Sequence, residues 1–339
     1  MFKVFSVLLL SIFIIPTALA ACFYGGDEKS LTMTAVTESS LSSGNMEERA
    51  DLNDIQFNSS GLYIAIGSNG KVLTSDDGLT WLDNQVDTDM GLVAVACGNG
   101  GFAAAGGNGM IITSEDGVNW VQRESGTDAS LYGIIWDGQR YIAVGPKTLL
   151  TSLDGKDWLY REMPDIDPNN GTNKKISLFY GKVFWDGKQY FTGGSGNYIL
   201  ASEDLEKWTV LSGDSLGSGM YYGFARNSSR YAAVGDHFEI MTSEDGHSWT
   251  EEGLNIQCCD NIEDDHYTLC INSVVWGKDK FVAVGQRGLI LISDNGIEWR
   301  AIPSVTRVRL NAVIWDGKRY IAVGDNKTII TSVNGIDWS

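Results

Sequence analysis

Short apolar runs alternate with polar, glycine-containing segments along most of the chain, and the arrangement repeats about every 40 residues. In the last repeat, runs rich in β-branched and aromatic residues occupy 310–315, 319–324 and 328–332, and a shorter run ends at Trp338. Such runs are typical of strands, and the Asp-Gly and Asn-Gly pairs between them favour hairpins over helix interiors. The pattern therefore predicts four strands per repeat.

Two motifs recur seven times and mark the repeats. Ser-x-Asp/Asn-Gly-x-x-Trp is the first, and Tyr/Phe-x-x-x-Gly precedes each copy of it. The aromatic residue and the tryptophan lie 18 residues apart in six copies and 17 apart in the third, so each repeat is a small module with little room for insertion. The acidic or amide residues are Asp77, Asp116, Asp154, Asp204, Asp245, Asn295 and Asn334; the tryptophans are Trp81, Trp120, Trp158, Trp208, Trp249, Trp299 and Trp338; the preceding aromatic residues are Tyr63, Phe102, Tyr141, Tyr190, Tyr231, Phe281 and Tyr320.

Each residue type in the first motif suits a hairpin that joins the third and fourth strands of a module. The Asp or Asn side chain can accept backbone N–H groups of its own turn, and the glycine can adopt positive φ without a Cβ clash. The serine hydroxyl can add a local hydrogen bond. The tryptophan can bury its ring against the hairpin while the indole N–H finds an acceptor.

This motif resembles the Asp-box, or BNR, repeats of sialidase-like propellers, and the chain is most similar in style to propellers of the photosystem II assembly-factor type. The likeness covers 52–338 and implies an all-β, seven-bladed β-propeller of four-stranded antiparallel blades with Asp-box turns. In that family the box is structural, so no catalytic role is expected for it. The fourth copy departs from the pattern because Leu205 replaces the glycine.

The N-terminal residues read as an export signal. Residues 1–21 contain one lysine and an apolar run, too short for a membrane-spanning helix. The segment 19–22, Leu-Ala-Ala-Cys, resembles a bacterial lipobox, which implies lipidation of Cys22, a tether at 22–30 and outer-membrane sorting because Phe23 follows. An ordinary signal-peptidase site at 18–20 leaves a secreted or periplasmic form as the alternative.

The seventh module stops one residue after its tryptophan, so another segment is expected to supply its fourth strand. Residues 31–37 alternate acceptably and precede the first module, which predicts that they pair into the seventh blade and close the ring within a propeller domain of 31–339. A disordered tether is the alternative.

The net charge and the positions of the cysteines limit the kinds of partner and site that the protein is expected to have. The net charge of −18 argues against a nucleic-acid partner and against membrane contact through a basic surface, which leaves the lipid anchor as the expected membrane contact. Cys97 lies in an apolar run and is expected to be a buried thiol. A disulfide is predicted between Cys258 or Cys259 and Cys270, since export permits it. A metal site using these thiols with His266 and nearby aspartates is the alternative.

Two insertions, at 159–178 and 250–270, single out a binding surface. Both connect one blade to the next on the face opposite the Asp-box turns, where repeat proteins often bind ligands. The neighbouring inner strands begin with Tyr132, Tyr180, Tyr221 and Tyr222, which are predicted to contact a sugar or a protein partner. Packing between blades is the alternative for these tyrosines. Asp165, Asp167 and Asn169 form a partial calcium-loop pattern, for which a polar turn is the alternative.

Catalytic patterns are weak. Arg300-Ala-Ile-Pro303 does not match the Arg-Ile-Pro motif of sialidases, and the serine pattern at 213–217 lies in a blade-connecting loop without the context of a nucleophile elbow. A pair of acids of the glycosidase type would escape sequence inspection. We therefore predict a lipid-anchored cell-envelope propeller, without a cofactor, that binds an envelope or surface protein or serves as an assembly scaffold. An exported carbohydrate-active enzyme or glycan-binding protein is the alternative.

Overall fold

The computed structural model describes residues 50–88, 90–98, 101–163, 178–194, 196–213, 219–252 and 270–339, with 178–180 described by their backbone alone. The strands are β1 (Leu52–Phe57), β2 (Tyr63–Gly67), β3 (Lys71–Ser75), β4 (Leu82–Gln85), β5 (Leu92–Gly98), β6 (Gly101–Gly106), β7 (Ile111–Ser114), β8 (Val121–Arg123), β9 (Gly133–Trp136), β10 (Tyr141–Gly145), β11 (Thr148–Ser152), β12 (Leu159–Glu162), β13 (Leu178–Trp185), β14 (Tyr190–Gly194), β15 (Tyr198–Ser202), β16 (Thr209–Ser212), β17 (Tyr221–Arg226), β18 (Tyr231–Gly235), β19 (Ile240–Ser243), β20 (Thr250–Glu251), β21 (Ile271–Gly277), β22 (Lys280–Gly285), β23 (Ile290–Ser293), β24 (Arg300–Ala301), β25 (Leu310–Trp315), β26 (Tyr320–Gly324) and β27 (Thr328–Ser332). Short 3-10 turns lie at Ser68–Gly70, Gly107–Gly109, Asp236–Phe238 and Gln286–Gly288.

These strands form seven antiparallel sheets in chain order, which confirms the predicted seven-bladed propeller. Blades 1 to 6 each contain four strands, and β25, β26 and β27 make blade 7. The inner strands contact one another in blade order, and β25 contacts β1. The ring is therefore closed by contact between the last blade and the first. No helix in the described ranges is long and apolar enough to cross a bilayer.

The hydrophobic core lies between the blades. Each of seven clusters of buried side chains joins two neighbouring sheets. One of them packs Leu52 and Ile55 of blade 1 against Ala312 and Ile314 of blade 7. Because both faces of every sheet are covered, a single blade cannot bury its apolar surface alone, and the ring is the stable unit.

The turns that carry the Ser-x-Asp/Asn-x-x-x-Trp residues, here called signature turns, have the predicted hydrogen bonds to the serine and to the aspartate or asparagine. In five of the seven turns the tryptophan indole also donates its N–H to the carbonyl at the glycine position. In blade 2, Asp116 Oδ1 accepts the N–H groups of Val118 at 2.9 Å and Asn119 at 2.7 Å. Ser114 Oγ accepts the Gly117 N–H at 2.8 Å, and the Trp120 indole N–H donates to the Gly117 carbonyl at 3.0 Å.

The turn of blade 4 keeps this geometry without glycine. Leu205 adopts a φ of +66°, its N–H donates to Ser202 Oγ at 2.9 Å, and its side chain is buried. Since a leucine at positive φ is strained, packing of the side chain under the hairpin offsets a local backbone cost.

Neighbouring blades are also joined by hydrogen bonds that the sequence interpretation did not anticipate. Tyr190 donates its hydroxyl to Asp137 Oδ2 of the preceding blade at 2.6 Å, and Tyr231 and Tyr63 donate in the same way to Asp186 and Asp316 at 2.7 Å. Where the aromatic residue is Phe102 or Phe281, which has no hydroxyl, the preceding turn carries Asn58 or Asn227 in place of aspartate. At these five junctions the acceptor and the donor vary together. At the other two, the hydroxyls of Tyr141 and Tyr320 donate to the backbone carbonyls of Gly98 and Gly277 in the preceding blade.

The Asp137–Tyr190 pair offers a double-mutant test of this coupling. Asp137→Asn and Tyr190→Phe are each expected to lower the free energy of unfolding by about 1–2 kcal/mol, because each removes a buried charge-assisted hydrogen bond. The double variant recreates the Asn–Phe combination of blades 5 and 6, so it should cost less than the sum of the single variants. Urea unfolding followed by tryptophan fluorescence measures all three. Strictly additive losses would contradict a direct coupling.

The same tyrosines predict a loss of stability at alkaline pH. Burial, followed by the bond to an aspartate, raises the pKa of Tyr63, Tyr190 and Tyr231 from 10.0 to about 12. The folded protein holds these protons more tightly than the unfolded chain, so stability is retained below pH 10 and falls as the pH rises towards 12. Urea titrations from pH 8 to 12 should show that decline, and it should be shallower in Tyr190→Phe. A flat profile to pH 12 would refute this expectation.

Several predictions from the N-terminal sequence lie outside the described residues. They are the signal peptide at 1–21, the lipidation of Cys22, the tether at 22–30 and the closing strand at 31–37. Each stays a prediction.

Candidate functional site

The propeller has two chemically different faces. The signature turns project from one face, here called the signature-turn face. The connections between blades and the turns that join second to third strands lie on the opposite face, here called the insertion face. The connections between β12 and β13 and between β20 and β21 span 163–177 and 252–270, and they are longer than the other blade-to-blade connections. The described residues that flank the two insertions, at 163 and 178 and at 252 and 270, therefore lie at the ends of the blades that belong to this face.

Two buried or partly buried carboxylates lie on this face between blades 4, 5 and 6. Glu239 follows the 3-10 turn Asp236–Phe238, and its carboxylate accepts from Asn197 Nδ2 at 2.7 Å and from the Tyr221 hydroxyl at 3.1 Å. Burial, with a further contribution from the charge of Glu251, raises the pKa of the Glu239 carboxyl, although the hydrogen bond from Tyr221 opposes the shift. The carboxylate is thus held in one orientation by donors from two blades.

Asp236 is held from the other side of the same turn. Its Oδ1 accepts from the Tyr222 hydroxyl at 2.8 Å and from Cys270 Sγ at 2.9 Å, and its Oδ2 accepts the Met220 N–H at 3.1 Å. Cys270 directly precedes the inner strand of blade 6. We call the group formed by Asn197, Tyr221, Tyr222, Asp236 and Glu239 the carboxylate cluster.

The structure separates the four tyrosines that the sequence placed on this surface. Tyr221 is buried in the core between blades 4 and 5, so packing between blades is its main role, although its hydroxyl reaches Glu239. Tyr222 is partly buried and holds Asp236. Tyr132 is partly buried in blade 3. Tyr180 is not at the position equivalent to Tyr132. Trp136 pairs with Tyr141 in blade 3 and Trp185 pairs with Tyr190 in blade 4. Four residues before these two tryptophans lie Tyr132 and Gly181, so Gly181 is the residue of blade 4 that corresponds to Tyr132.

Sequence inspection missed Asp236, Glu239 and Asn197, although a signal for the first two was present. The equivalent turns read Ser-Asn-Gly-Lys at 68–71, Gly-Asn-Gly-Met at 107–110 and Gln-Arg-Gly-Leu at 286–289, whereas blade 5 has Asp-His-Phe-Glu at 236–239. Among these 3-10 turns, blade 5 alone carries two acids. Comparison between repeats at this position would have found them.

Other predicted sites on the insertion face fall outside the described ranges. Asp165, Asp167 and Asn169 lie in 164–177, and Cys258, Cys259 and His266 lie in 253–269. The calcium loop and the disulfide of Cys270 therefore stay predictions. In the part of the chain that the structure describes, no group of three or more His, Cys, Asp or Glu side chains is arranged to bind a metal ion.

The central channel contains an ion pair that joins distant blades. Lys182 Nζ of blade 4 lies 2.6 Å from Asp54 Oδ1 of blade 1, and Asp54 Oδ2 accepts the Val95 N–H at 3.0 Å. The surrounding cavity of about 300 Å³ is lined mainly by apolar residues of the inner strands, including Ile134 and Phe224. Both charged groups are engaged with each other, so the pair bridges the channel rather than presenting an unused acid or base.

A second cavity, of about 520 Å³, lies between blades 2 and 3 beside the signature turns. Its lining includes Glu115, Asp116 and Asp154. Asp116 and Asp154 accept N–H groups of their own turns, and Glu115 lies 3.5 Å from Lys156. Two of these carboxylates therefore hold their own turns, and the third forms an ion pair with Lys156.

No protein-family model and no curated protein matches the sequence. Solved structures show the fold. YCF48 from Cyanidioschyzon merolae superposes with a TM-score of 0.64 at 17% identity, covering 84% of this chain and 96% of that one. YCF48 bound to a D1 peptide gives 0.62 at 15% identity, covering 84% and 94%. The extracellular domain of the one-component system BT4673 of B. thetaiotaomicron gives 0.64 at 12% identity, covering 85% of this chain and 39% of that one. At these identities the similarity establishes a propeller and no more.

Proposed function

We propose that the protein is a lipid-anchored propeller of the cell envelope that binds another protein through its insertion face. The observation that carries this proposal is the carboxylate cluster. Two acids on one short turn are oriented by donors from adjoining blades, beside the two longest connections of the ring. A rigid scaffold that presents polar groups among long loops is the usual arrangement of a binding surface.

The chemistry of the cluster favours a basic polypeptide segment as the ligand. A carboxylate has about four acceptor positions, and Asp236 and Glu239 each accept three hydrogen bonds from partners within the described chain. About one position on each is left for a ligand. A lysine, an arginine or a free amino terminus would supply the complementary donors. The net charge of −18 would attract such a segment from a distance.

A structure similar in fold adds a precedent for a polypeptide ligand. YCF48 is bound to a D1 peptide in one of the similar structures. That ligand belongs to YCF48, and the precedent concerns only the class of ligand. It supports a protein partner over a sugar for the present chain.

The lipid anchor rests on the sequence 19–22 and on the apolar run before it. Mass spectrometry of the mature protein from its native membrane tests it directly. An acylated Cys22 at the mature N-terminus is the expected result. An N-terminus at Ala21, or an unmodified Cys22, would contradict the lipid anchor and support the secreted or periplasmic form.

Binding is tested with the full-length protein in detergent. The Asp236→Asn/Glu239→Gln double variant keeps the shape of the cluster and removes two charges. We expect it to lose capture of a stoichiometric partner from solubilised envelopes, with roughly a tenfold or greater fall in affinity for the purified partner. The matched control is Glu203→Gln/Glu244→Gln, which removes the same charge from exposed residues of the signature turns.

Three outcomes distinguish the candidate functions. Capture by the wild type and the control, but not by the cluster variant, supports protein binding at this face. Equal capture by all three proteins would show that the partner binds to another surface. Binding to a sugar or hydrolysis of a sugar on a parallel glycan array, without a captured protein, would contradict the scaffold function and support a carbohydrate-binding protein or enzyme.

A further inference from the structure

One level of the central channel combines five small residues with two charged ones. It contains the residue three positions before the inner-strand partner of each motif aromatic residue. Around the ring these residues are Asp54, Ala94, Gly133, Lys182, Gly223, Ser273 and Ala312. The two long side chains at this level belong to Asp54 and Lys182, which we call the channel pair.

The channel pair joins opposite sides of the ring. Blade 4 lies three blades from blade 1 in a closed ring of seven, and Lys182 Nζ reaches Asp54 Oδ1 at 2.6 Å. Gly133 of blade 3 lets the backbone of Lys182 approach closely, since a Cβ there would lie 3.0 Å from the Lys182 Cα. The pair therefore depends on residue choices in several blades.

Closure of the ring does not require a charge at this level. Apolar clusters already join each blade to its neighbours, and five blades have an uncharged residue at the equivalent position. An ion pair in an apolar enclosure carries a desolvation penalty, and apolar residues in its place are often neutral or stabilising. The channel pair therefore indicates recognition of a ligand more than stabilisation of the fold.

The channel pair keeps hydrogen-bonding capacity beside the cavity that it lines. Within the described chain, the Lys182 ammonium uses one of its three N–H donors on Asp54. The Asp54 carboxylate accepts from Lys182 and from the Val95 N–H, which leaves about two of its four acceptor positions. Both residues line the cavity of about 300 Å³, and the Lys182 side chain is 32% exposed. Donors and acceptors are thus presented side by side.

The walls of this cavity suit a compact apolar body. They include Ile134, Phe224, Val274 and Ile314 from four different blades. The volume lies at the small end of the range for ligand pockets, about 300–1,000 Å³. A sugar would leave hydroxyl groups unpaired against such walls. The expected ligand is therefore small and apolar along most of its length, with one polar end.

The opposite charges of the channel pair define that polar end. A ligand with only a carboxylate would be repelled by Asp54, and one with only an ammonium group would be repelled by Lys182. We propose that the central channel binds an apolar α-amino acid. Its carboxylate accepts from Lys182, its ammonium donates to Asp54, and its side chain packs against the apolar walls. The four charges then alternate in sign, and each keeps a partner of opposite charge.

Isothermal titration calorimetry on the full chain in detergent tests the proposal with L-leucine and L-phenylalanine as probes. Three analogues each lack one feature of leucine: 4-methylpentanoate lacks the ammonium, 3-methylbutylamine lacks the carboxylate, and glycine lacks the apolar side chain. We expect both probes to bind the wild type, and each analogue to bind at least about tenfold more weakly than leucine. This comparison needs no variant, so it does not depend on the folding of one.

Variants of the channel pair should change the selectivity in opposite directions. Lys182→Met removes the partner of the ligand carboxylate, so leucine should lose at least about tenfold in affinity and 3-methylbutylamine should bind as well as leucine or better. Asp54→Asn removes the partner of the ammonium, so 4-methylpentanoate should then match or exceed leucine. Lys188→Met, at an exposed residue of the same blade, is the matched control and should bind like the wild type.

Each outcome decides the question. Binding of the zwitterions to the wild type, with opposite changes of selectivity in the two variants, would support the amino-acid site. Absence of heat with both probes at millimolar concentration, or equal affinity for leucine and its single-charge analogues, would overturn it and make the channel pair a structural link. Unchanged selectivity in Lys182→Met would do the same. Partner capture through the carboxylate cluster is measured separately, so the two proposals can fail independently.

Discussion

Replacement of Trp299 with alanine is expected to lower the free energy of unfolding by roughly 3–5 kcal/mol, among the largest effects available to a single substitution in this chain. The indole is 5% exposed, lies 6.0 Å from the ring of Phe281 and donates its N–H to the Gly296 carbonyl at 2.7 Å. It belongs to the core between blades 5 and 6. The substitution leaves a cavity there and also leaves the Gly296 carbonyl without the indole.

Urea unfolding measured for four variants separates these contributions. Trp299→Phe keeps most of the volume and should recover all but about 1–2 kcal/mol, since it loses the hydrogen bond and part of the ring. Trp81→Ala gives the corresponding loss of stability in blade 1. The Trp81 side chain as a whole is partly exposed, and its indole nitrogen, although buried, has no acceptor within the described chain. Trp81→Phe completes the set. Equal losses for Trp299→Ala and Trp81→Ala would show that burial and the hydrogen bond do not govern the role of these tryptophans.

Gly106→Ala is the second substitution with a large expected effect, a loss of about 3 kcal/mol or more. Gly106 ends the Tyr/Phe-x-x-x-Gly motif of blade 2, and a Cβ there would lie 2.2 Å from the Gly91 carbonyl oxygen. That oxygen belongs to the backbone that enters the inner strand, so it cannot move aside as a side chain would. The same contact recurs in other blades: a Cβ on Gly67 or Gly324 would lie 1.9 or 2.1 Å from a backbone oxygen.

The neighbouring residue provides the control. A Cβ on Gly107 would meet nothing within 4 Å. Gly107→Ala is therefore expected to change the free energy of unfolding by no more than about 0.5 kcal/mol. Both variants keep the same composition and differ only in which adjacent residue carries the methyl group. Comparable unfolding midpoints for the two would refute the steric explanation of the motif.

The repeat motifs predicted the fold because their chemistry is local. The hydrogen bonds of Asp116 with Ser114, Val118 and Asn119 span a few residues, so residue type and spacing were sufficient to predict them. The backbone N–H groups of such turns hold the pKa of Asp77 at about 2, well below its usual value. Leu205 was the exception in the sequence pattern, yet its turn forms because the buried side chain compensates for positive φ.

The candidate site was predicted only as a region. Insertion lengths indicated the face and the sector of blades 4 and 5 in which the carboxylate cluster lies. The tyrosines, in contrast, were chosen by their position at strand starts, which does not determine whether a side chain packs inward or faces solvent. Tyr221 is buried, and the register of blade 4 displaces Tyr180 by one residue. The sequence did contain this signal, because Tyr132 lies nine residues before Tyr141 whereas Tyr180 lies ten residues before Tyr190. The irregular pairing of β13 between Leu178 and Val183 was visible only in the structure.

The sequence by itself determined that seven hairpin modules are present, where each turn lies, and why glycine, aspartate and tryptophan occupy it. Those properties depend on backbone conformation and on hydrogen bonds within a few residues. Only the tertiary structure decided which residues of separate modules meet: Tyr63 with Asp316, Lys182 with Asp54, and Asn197 with Glu239. The physical reason is ring closure, which places residues from separate modules in contact, so that their pairing depends on the curvature and register of whole sheets.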